Sequence, residues 1–360
     1  MLSKLKSLSA TSKAVRAYRN KRIELSHFPT FLWIEPTNRC NLECIICPNR
    51  LIPKHDTGFM EWDLFKKTVD EAKDFVSVIA LYMRGEPLLH KDIFRMIEYI
   101  KQYNIRCMIH TNATLLNIKN AKQLIDSRID YVSLSFDGYN KKTYESIRKK
   151  AKYEKVLDNI LNLLREKKGR KSPYIALQTI ITGTEEYGDS DLIAKEFYHK
   201  FSGLPINEIN IKTAQSWGNR LQNTKEFAIP DLGKIYSPCP YLWAFTGVLW
   251  NGEVTPCCVD FLPDYHLGNV YNNSLQQIWN NKYYKRLRTK MIEQKYGEVK
   301  KNCVNCHMLW NNGRLLGLPG NLSRLLSIPL LNIFGFGAEK YMKRWGRLLN
   351  KSFSYSIKRK

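Results

Sequence analysis

Between residues 31 and about 212, short apolar runs alternate with longer amphipathic ones. The short runs, at 31–35, 76–83, 105–110, 131–136, 174–181 and 208–211, are rich in β-branched and aromatic residues and read as strands. The segments near 62–74, 92–103, 118–127, 141–167 and 189–200 space their apolar residues at i, i+3 and i+4 and read as helices. Ile93, Met96, Ile97 and Ile100 line one of them; Val156, Ile160, Leu163 and Leu164 line another. This alternation predicts an α/β fold, a parallel sheet joined by right-handed crossovers. It fits an open doubly wound sheet and a barrel equally well.

After residue 212 the rhythm breaks. Residues 213–235 read as a linker. Residues 236–310 are short, turn-rich segments holding five of the nine cysteines, which suggests a small domain held by metal. Within it, Asn251-Gly252 lies between Val248-Leu249-Trp250 and Glu253-Val254-Thr255, a hairpin-turn signal.

Composition sharpens the picture. A chain of 360 residues that is 44% hydrophobic and 12% aromatic can pack a core, which excludes global disorder. The net charge of +24 is concentrated at the ends. Residues 1–30 carry seven Lys and Arg against one Glu, and residues 311–360 carry ten against one Glu. These basic, partly amphipathic ends fit an anionic membrane surface, an anionic substrate or plain solvation. No nucleic-acid-binding motif is present, so no nucleic acid is expected as partner. The longest uncharged apolar stretch, 325–338, contains Ser327, Pro329 and Asn332 and is too short to span a bilayer. No export signal is visible, so the expected location is cytoplasmic, with peripheral contact to the membrane's cytoplasmic face left open. An odd number of cysteines in that compartment reads as thiols or metal ligands, not disulfides.

Cys40, Cys44 and Cys47 follow the first strand with spacings of three and two. At this cysteine content, such a pair of spacings arises by chance in about one chain in 180. The simplest alternatives are buried structural thiols and a zinc knuckle. Structural zinc asks for four protein ligands, and the nearest further candidate, His55, is eight residues on. Three thiolates suit an iron–sulfur cube that leaves its fourth iron open.

Cys-x3-Cys-x2-Cys just after the first strand resembles the signature of the radical S-adenosylmethionine (SAM) superfamily, with Ile46 where many members carry an aromatic residue. Arg84-Gly85-Glu86-Pro87 resembles the family's Gly-Gly-Glu-Pro motif, Arg84 standing for the first glycine. The resemblance covers about half of the chain and implies a partial (β/α)6 barrel. It implies a catalytic 4Fe-4S cluster on Cys40, Cys44 and Cys47, and SAM held around Gly85, Glu86 and Pro87. Asn112, Ser135 and Asp137 would face the ribose and carboxylate region of SAM or the substrate. Thr179-Ile180-Ile181-Thr182-Gly183-Thr184-Glu185-Glu186 resembles the family's Gly-x-Ile-x-Gly-x-x-Glu motif, with Ile181 against the adenine or simply in the core. Arg148 reads as an exposed helix arginine, with the SAM carboxylate as the alternative partner.

Cys239, Cys257, Cys303 and Cys306, with Gly252 between the first two, resemble the SPASM or twitch extension of the same superfamily. The resemblance implies one auxiliary 4Fe-4S cluster on these four; zinc remains the alternative occupant. Cys258 could replace Cys257 or point away, Cys303-x2-Cys306 is expected to open a helix, and Cys107 reads as a buried apolar residue. Spacing of this one-cluster kind is similar to that of radical SAM alcohol dehydrogenases of aminoglycoside biosynthesis. The expected function is hydrogen abstraction from a C–H bond of a small polar or sugar-like substrate, the auxiliary cluster accepting the electron. Flavodoxin or ferredoxin is the expected electron donor. The alternatives are a maturase of ribosomally made peptides and a non-catalytic, zinc-stabilised membrane adaptor.

Overall fold

A computed structural model describes residues 2–138, 140–181, 190–218, 220–222, 235–263, 265–306 and 308–311, with Arg314–Leu315 and Leu318–Pro319. Five βα units and a sixth strand come first: β1 (Phe31–Ile34), α2 (Trp62–Ala72), β2 (Val78–Ala80), α3 (Ile93–Lys101), β3 (Arg106–Thr111), α4 (Ile118–Asp126), β4 (Tyr131–Ser135), α5 (Lys141–Ile147), α6 (Tyr153–Lys167), β5 (Tyr174–Ile181), α7 (Ser190–Phe201) and β6 (Glu208–Thr213). A helix α1 (Leu2–Arg19) precedes them. Beyond β6 lie β7 (Ile235–Tyr236), α8 (Tyr241–Ala244), β8 (Phe245–Val248), β9 (Val254–Thr255), α9 (Leu275–Trp279), α10 (Lys282–Ile292), β10 (Trp310–Asn311), β11 (Arg314–Leu315) and β12 (Leu318–Pro319).

The main sheet runs β6-β5-β4-β3-β2-β1-β8-β9 and does not close. Strands β1 to β6 pair in parallel in chain order, as a partial barrel requires. Alternation decides which side chains face the helices. In β3, Cys107, Ile109 and Thr111 are buried, whereas Arg106, Met108 and His110 lie on the concave side, partly exposed. The helical stripes do the matching work: Ile93, Met96, Ile97 and Ile100 of α3 are all at most 1% exposed. Each such burial contributes about 1.5–3 kcal/mol relative to exposure.

Three expectations need correction. The run 141–167 is two helices, broken where Arg148 leaves helical geometry (φ −98°, ψ 71°) and Lys150 turns to φ 72°. The break exposes carbonyls that the cysteine loop uses: Glu43 N–H donates to Lys149 O (3.2 Å) and Ile45 N–H to Ile147 O (3.0 Å). The N-terminal segment is not a solvated tail over its described length. Helix α1 docks through Thr11, Ala14 and Ala17, and Ala14 joins Phe31, Trp33, Val78, Ala80 and Phe245 in a cluster across β1, β2 and β8. Finally, Cys303 and Cys306 sit on a 3-10 turn (Lys301–Cys303) and the bend after it, not at the start of an α-helix.

The Asn251-Gly252 hairpin forms, with Gly247 opposite Thr255 and Gly252 at φ 82°. Its first strand also pairs in parallel with β1, Trp33 against Gly247, so the cysteine-rich region extends the barrel sheet. Residues 223–234 of the expected linker, Gly183 and Glu186, and nearly all of the 311–360 tail lie outside the described residues. No helix among the described residues is long and apolar enough to cross a membrane.

Candidate active site

The C-terminal edges of β1 to β5 converge on one place, the edge where parallel α/β sheets build their sites. Cys40 and Cys47 are part-buried and Cys44 is buried on the loop after β1. Burial, with the neighbouring Cys44 thiol as a lesser cause, pushes Cys47 up to about 12. Burial and then Glu86 push Cys40 to about the same value, and Cys44 is also raised by burial. Two N–H donors reach the sulfurs: Asn112 Nδ2 lies 3.9 Å from Cys40 Sγ, and an Arg148 guanidinium N–H 3.9 Å from Cys44 Sγ.

Gly85 is required by contact. A Cβ there would stand 2.4 Å from the carbonyl oxygens of Thr37 and Arg39, so the loop after β2 lies flat against the loop leading to Cys40. Glu86 is buried and its carboxylate accepts from Thr111 Oγ1 (2.7 Å), Asn112 N–H (2.7 Å) and Leu88 N–H (3.1 Å). Burial raises Glu86 to about 6, against the pull of these donors. The carboxylate therefore joins the ends of β2 and β3, with about one further acceptor position left. Pro87 opens the short turn Pro87–Leu89.

Asn112 also donates to Asn41 Oδ1 (2.9 Å), which ties it to the cysteine loop. Ser135 ends β4, part-exposed on the concave side. Asp137 is fully buried, ion-paired to Arg148 at 2.6 Å and accepting from Ile180 N–H at 2.7 Å. Ile181 ends β5 and packs part-buried on the main core. Arg148 is the correction: it is 7% exposed and faces inward, because the helix break after α5 turns it from solvent toward Asp137 and Cys44. No amphipathic pattern foretells that inversion.

The second set also assembles. The Cys257 thiol lies within electrostatic reach of Cys258, Cys239 and Cys303, and that of Cys303 within reach of Cys306 and Cys239; burial raises both. Beside them stands a buried ion pair, Lys300 Nζ to Asp260 at 2.6 Å, its carboxylate also accepting from Thr255 Oγ1 (2.9 Å). Cys258 packs on the aromatic cluster of β1, β2 and β8 and lies near the Tyr82 hydroxyl. Cys107 is buried in the core.

Both donor sets are all-thiol and lined by N–H or cationic groups, which fits anionic iron–sulfur clusters. Among the described residues no disulfide joins any of the nine cysteines, and no three His, Cys, Asp or Glu gather at the spacing of one ion. A cube holds its cysteines further apart than a single ion does.

Sequence reasoning missed Glu35 and gave Arg84 no role beyond filling a glycine position. The Arg84 guanidinium meets both Glu35 carboxylate oxygens at 2.7 Å and donates to Phe261 O at 3.0 Å. It also missed the concave-side stack of Tyr82 on His110 (3.7 Å between centroids, 8° between planes). Burial depresses His110 to about 3, so this imidazole is neutral at physiological pH.

A partial barrel with a three-thiol loop after β1 and a four-thiol set beyond it defines a radical SAM enzyme. The radical SAM superfamily model matches residues 34–193, and that of the iron–sulfur cluster-binding SPASM domain matches residues 239–307. The chain belongs to the radical SAM superfamily, whose members carry 4Fe-4S clusters and bind SAM. It is 25% identical, over 77% of its length and 87% of the relative's, to a tungsten-containing aldehyde ferredoxin oxidoreductase cofactor-modifying protein of Pyrococcus furiosus. It is 24% identical, over 76% and 91%, to the S-adenosyl-L-methionine-dependent 2-deoxy-scyllo-inosamine dehydrogenase of Niallia circulans. The crystal structure of BtrN with AdoMet and 2-DOIA superposes with a TM-score of 0.52 at 20% identity, covering 78% of this chain and 94% of that one. Streptococcus suis SuiB bound to the precursor peptide SuiA gives 0.60 at 16%, covering 83% and 73%. At these identities the two structures show the shared fold.

Proposed function

We propose that this chain is a radical SAM oxidoreductase acting on a C–H bond of a small polar or sugar-like substrate. Cys40, Cys44 and Cys47 hold the catalytic cluster. Gly85, Glu86, Pro87, Asn112, Ser135, Asp137 and Ile181 surround SAM, and Cys239, Cys257, Cys303 and Cys306 hold the auxiliary cluster. When bound, the catalytic cluster and SAM supply a 5′-deoxyadenosyl radical.

The observation that carries the oxidative reading is the contrast between the two thiol sets. Three thiols leave one iron of a cube open to a ligand, whereas four saturate it, so the second set suits electron transfer rather than substrate coordination. Lys300, buried 2.6 Å from Asp260, places a paired cation beside that set. The likeness to a dehydrogenase along nearly its whole length supports the same reading.

The chain's own residues have definable tasks. Glu86 holds the ends of β2 and β3 together, and Arg148 and Asn112 offer N–H groups to the thiols. His110, neutral, lies in register with Ser133 and stacks on Tyr82. The boundaries we assign are a docked N-terminal segment to residue 30, the barrel from 31 to 212, a connection to 235, the auxiliary region to 310 and a basic C-terminal segment. An acidic electron donor such as flavodoxin or ferredoxin would be attracted by the chain's net charge of +24. The SuiB fold likeness keeps a peptide substrate as the second reading.

The test is an oxygen-free preparation incubated with deuterium-labelled sugars, cyclitols and peptides. About eight irons per chain and deuterium in 5′-deoxyadenosine from a labelled cyclitol or sugar are expected. Transfer from peptides alone would overturn the substrate class.

A further inference from the structure

The two thiol sets are joined by a chain of contacts running through residues that neither motif contains. Ile46 precedes Cys47, and Phe261 lies four residues after Cys257. Between them sits Trp217. Its indole N–H donates to Ile46 O at 2.9 Å, and its ring meets Phe261 edge-on at 4.9 Å. Phe261 is 1% exposed, and its backbone carbonyl accepts from the Arg84 guanidinium at 3.0 Å. The backbone carbonyl of Arg84 in turn accepts from Asn49 Nδ2 at 2.6 Å, two residues after Cys47.

The segment around Trp217 also touches the Cys303–Cys306 turn. Ser216 Oγ donates to Asn305 O at 3.4 Å, and a Cβ on Gly218 would stand 2.5 Å from Asn302 O. Trp217 itself has φ 51°, a left-handed conformation that a bulky residue keeps only when its surroundings impose it. Here the imposing contacts come from both cysteine loops.

We propose that Trp217 and Arg84 are positioning residues through which loading of the auxiliary site sets the reduction potential of the catalytic one. The inference rests on the reading of both sets as cluster ligands. A cluster held by Cys257 and by the Cys303–Cys306 turn would fix Phe261, four residues after Cys257, and Asn302 beside that turn. Close-packed neighbours pass such a constraint on instead of absorbing it. The indole N–H then holds the carbonyl of Ile46, the residue that precedes Cys47. Without that N–H the dipole is uncompensated, and the oxidised cluster gains relative to the reduced one.

The experiment is an EPR-monitored redox titration of the catalytic cluster in the full chain, with and without Cys303→Ser plus Cys306→Ser to empty the auxiliary site. In the otherwise native chain, emptying should lower the reduced-to-oxidised ratio at fixed potential about tenfold, which is 59 mV for one electron. With Trp217→Phe, which keeps the ring on Phe261 but removes the N–H, emptying should change the ratio less than twofold. Arg84→Gln should give an intermediate response. Iron counts before the titration confirm that the catalytic set is loaded in every variant and that the auxiliary set is loaded only where its cysteines are kept. No tenfold change in the native chain, or the same change with Trp217→Phe, overturns the proposal. A native chain lacking iron at either set overturns the cluster reading, and the coupling with it.

Discussion

The Arg148 guanidinium and the Asp137 carboxylate form a buried ion pair 2.6 Å apart, and the guanidinium also points an N–H at Cys44 Sγ. Outer groups of this kind orient metal ligands, and removing them typically weakens metal binding about 10–100-fold. Arg148→Gln should therefore lose iron from the catalytic set first. A chelator-competition assay should show that loss while the auxiliary iron stays. Asp137→Asn should behave worse in folding than Arg148→Gln, because it strands a buried cation that cannot neutralise itself.

Cys44→Ala should halve the iron content and abolish 5′-deoxyadenosine formation, with circular dichroism unchanged. Cys303→Ala should remove the other half and stop substrate oxidation. Product formation by the Cys44 variant at the native rate would refute the ligand assignment.

Gly85→Ala tests the contact between the loops after β1 and β2. The new methyl meets backbone carbonyls, which cannot rotate away. A loss of about 1–3 kcal/mol is expected from overpacking. Thermal unfolding of the metal-free chain measures it, and reconstitution should show less iron on the catalytic set.

Glu86 makes a signed prediction about pH. Its folded value, about 6, lies above the ordinary 4.5 because burial disfavours the charged form. Between those values the folded chain holds the proton more tightly than the unfolded one, so stability falls as pH rises through this window. The difference in unfolding free energy between native and Glu86→Gln should thus favour the native chain by about 1.5 kcal/mol more at pH 4.5 than at pH 7. Denaturant titrations of the metal-free proteins at the two pH values provide the comparison. An unchanged difference would mean that the three hydrogen bonds outweigh burial.

Hydrophobic period and cysteine spacing determined, from the sequence alone, the alternating strands and helices, the hairpin at Asn251-Gly252 and the two groups of thiols. These are local properties: a strand or a three-thiol loop is written in neighbouring residues. Tertiary structure decided what faces what. Arg148 sits in a stretch that reads as a continuous solvent-facing helix, and only the chain break and the cysteine loop lying against it turn the guanidinium inward. Arg84 finds Glu35, 49 residues away, and Phe261, 177 residues away. Helix α1 loses its tail-like character because β1, β2 and β8 leave a concave apolar surface that Ala14 can cover. Burial of a charge depends on partners far along the chain, and no local pattern encodes where those partners will stand.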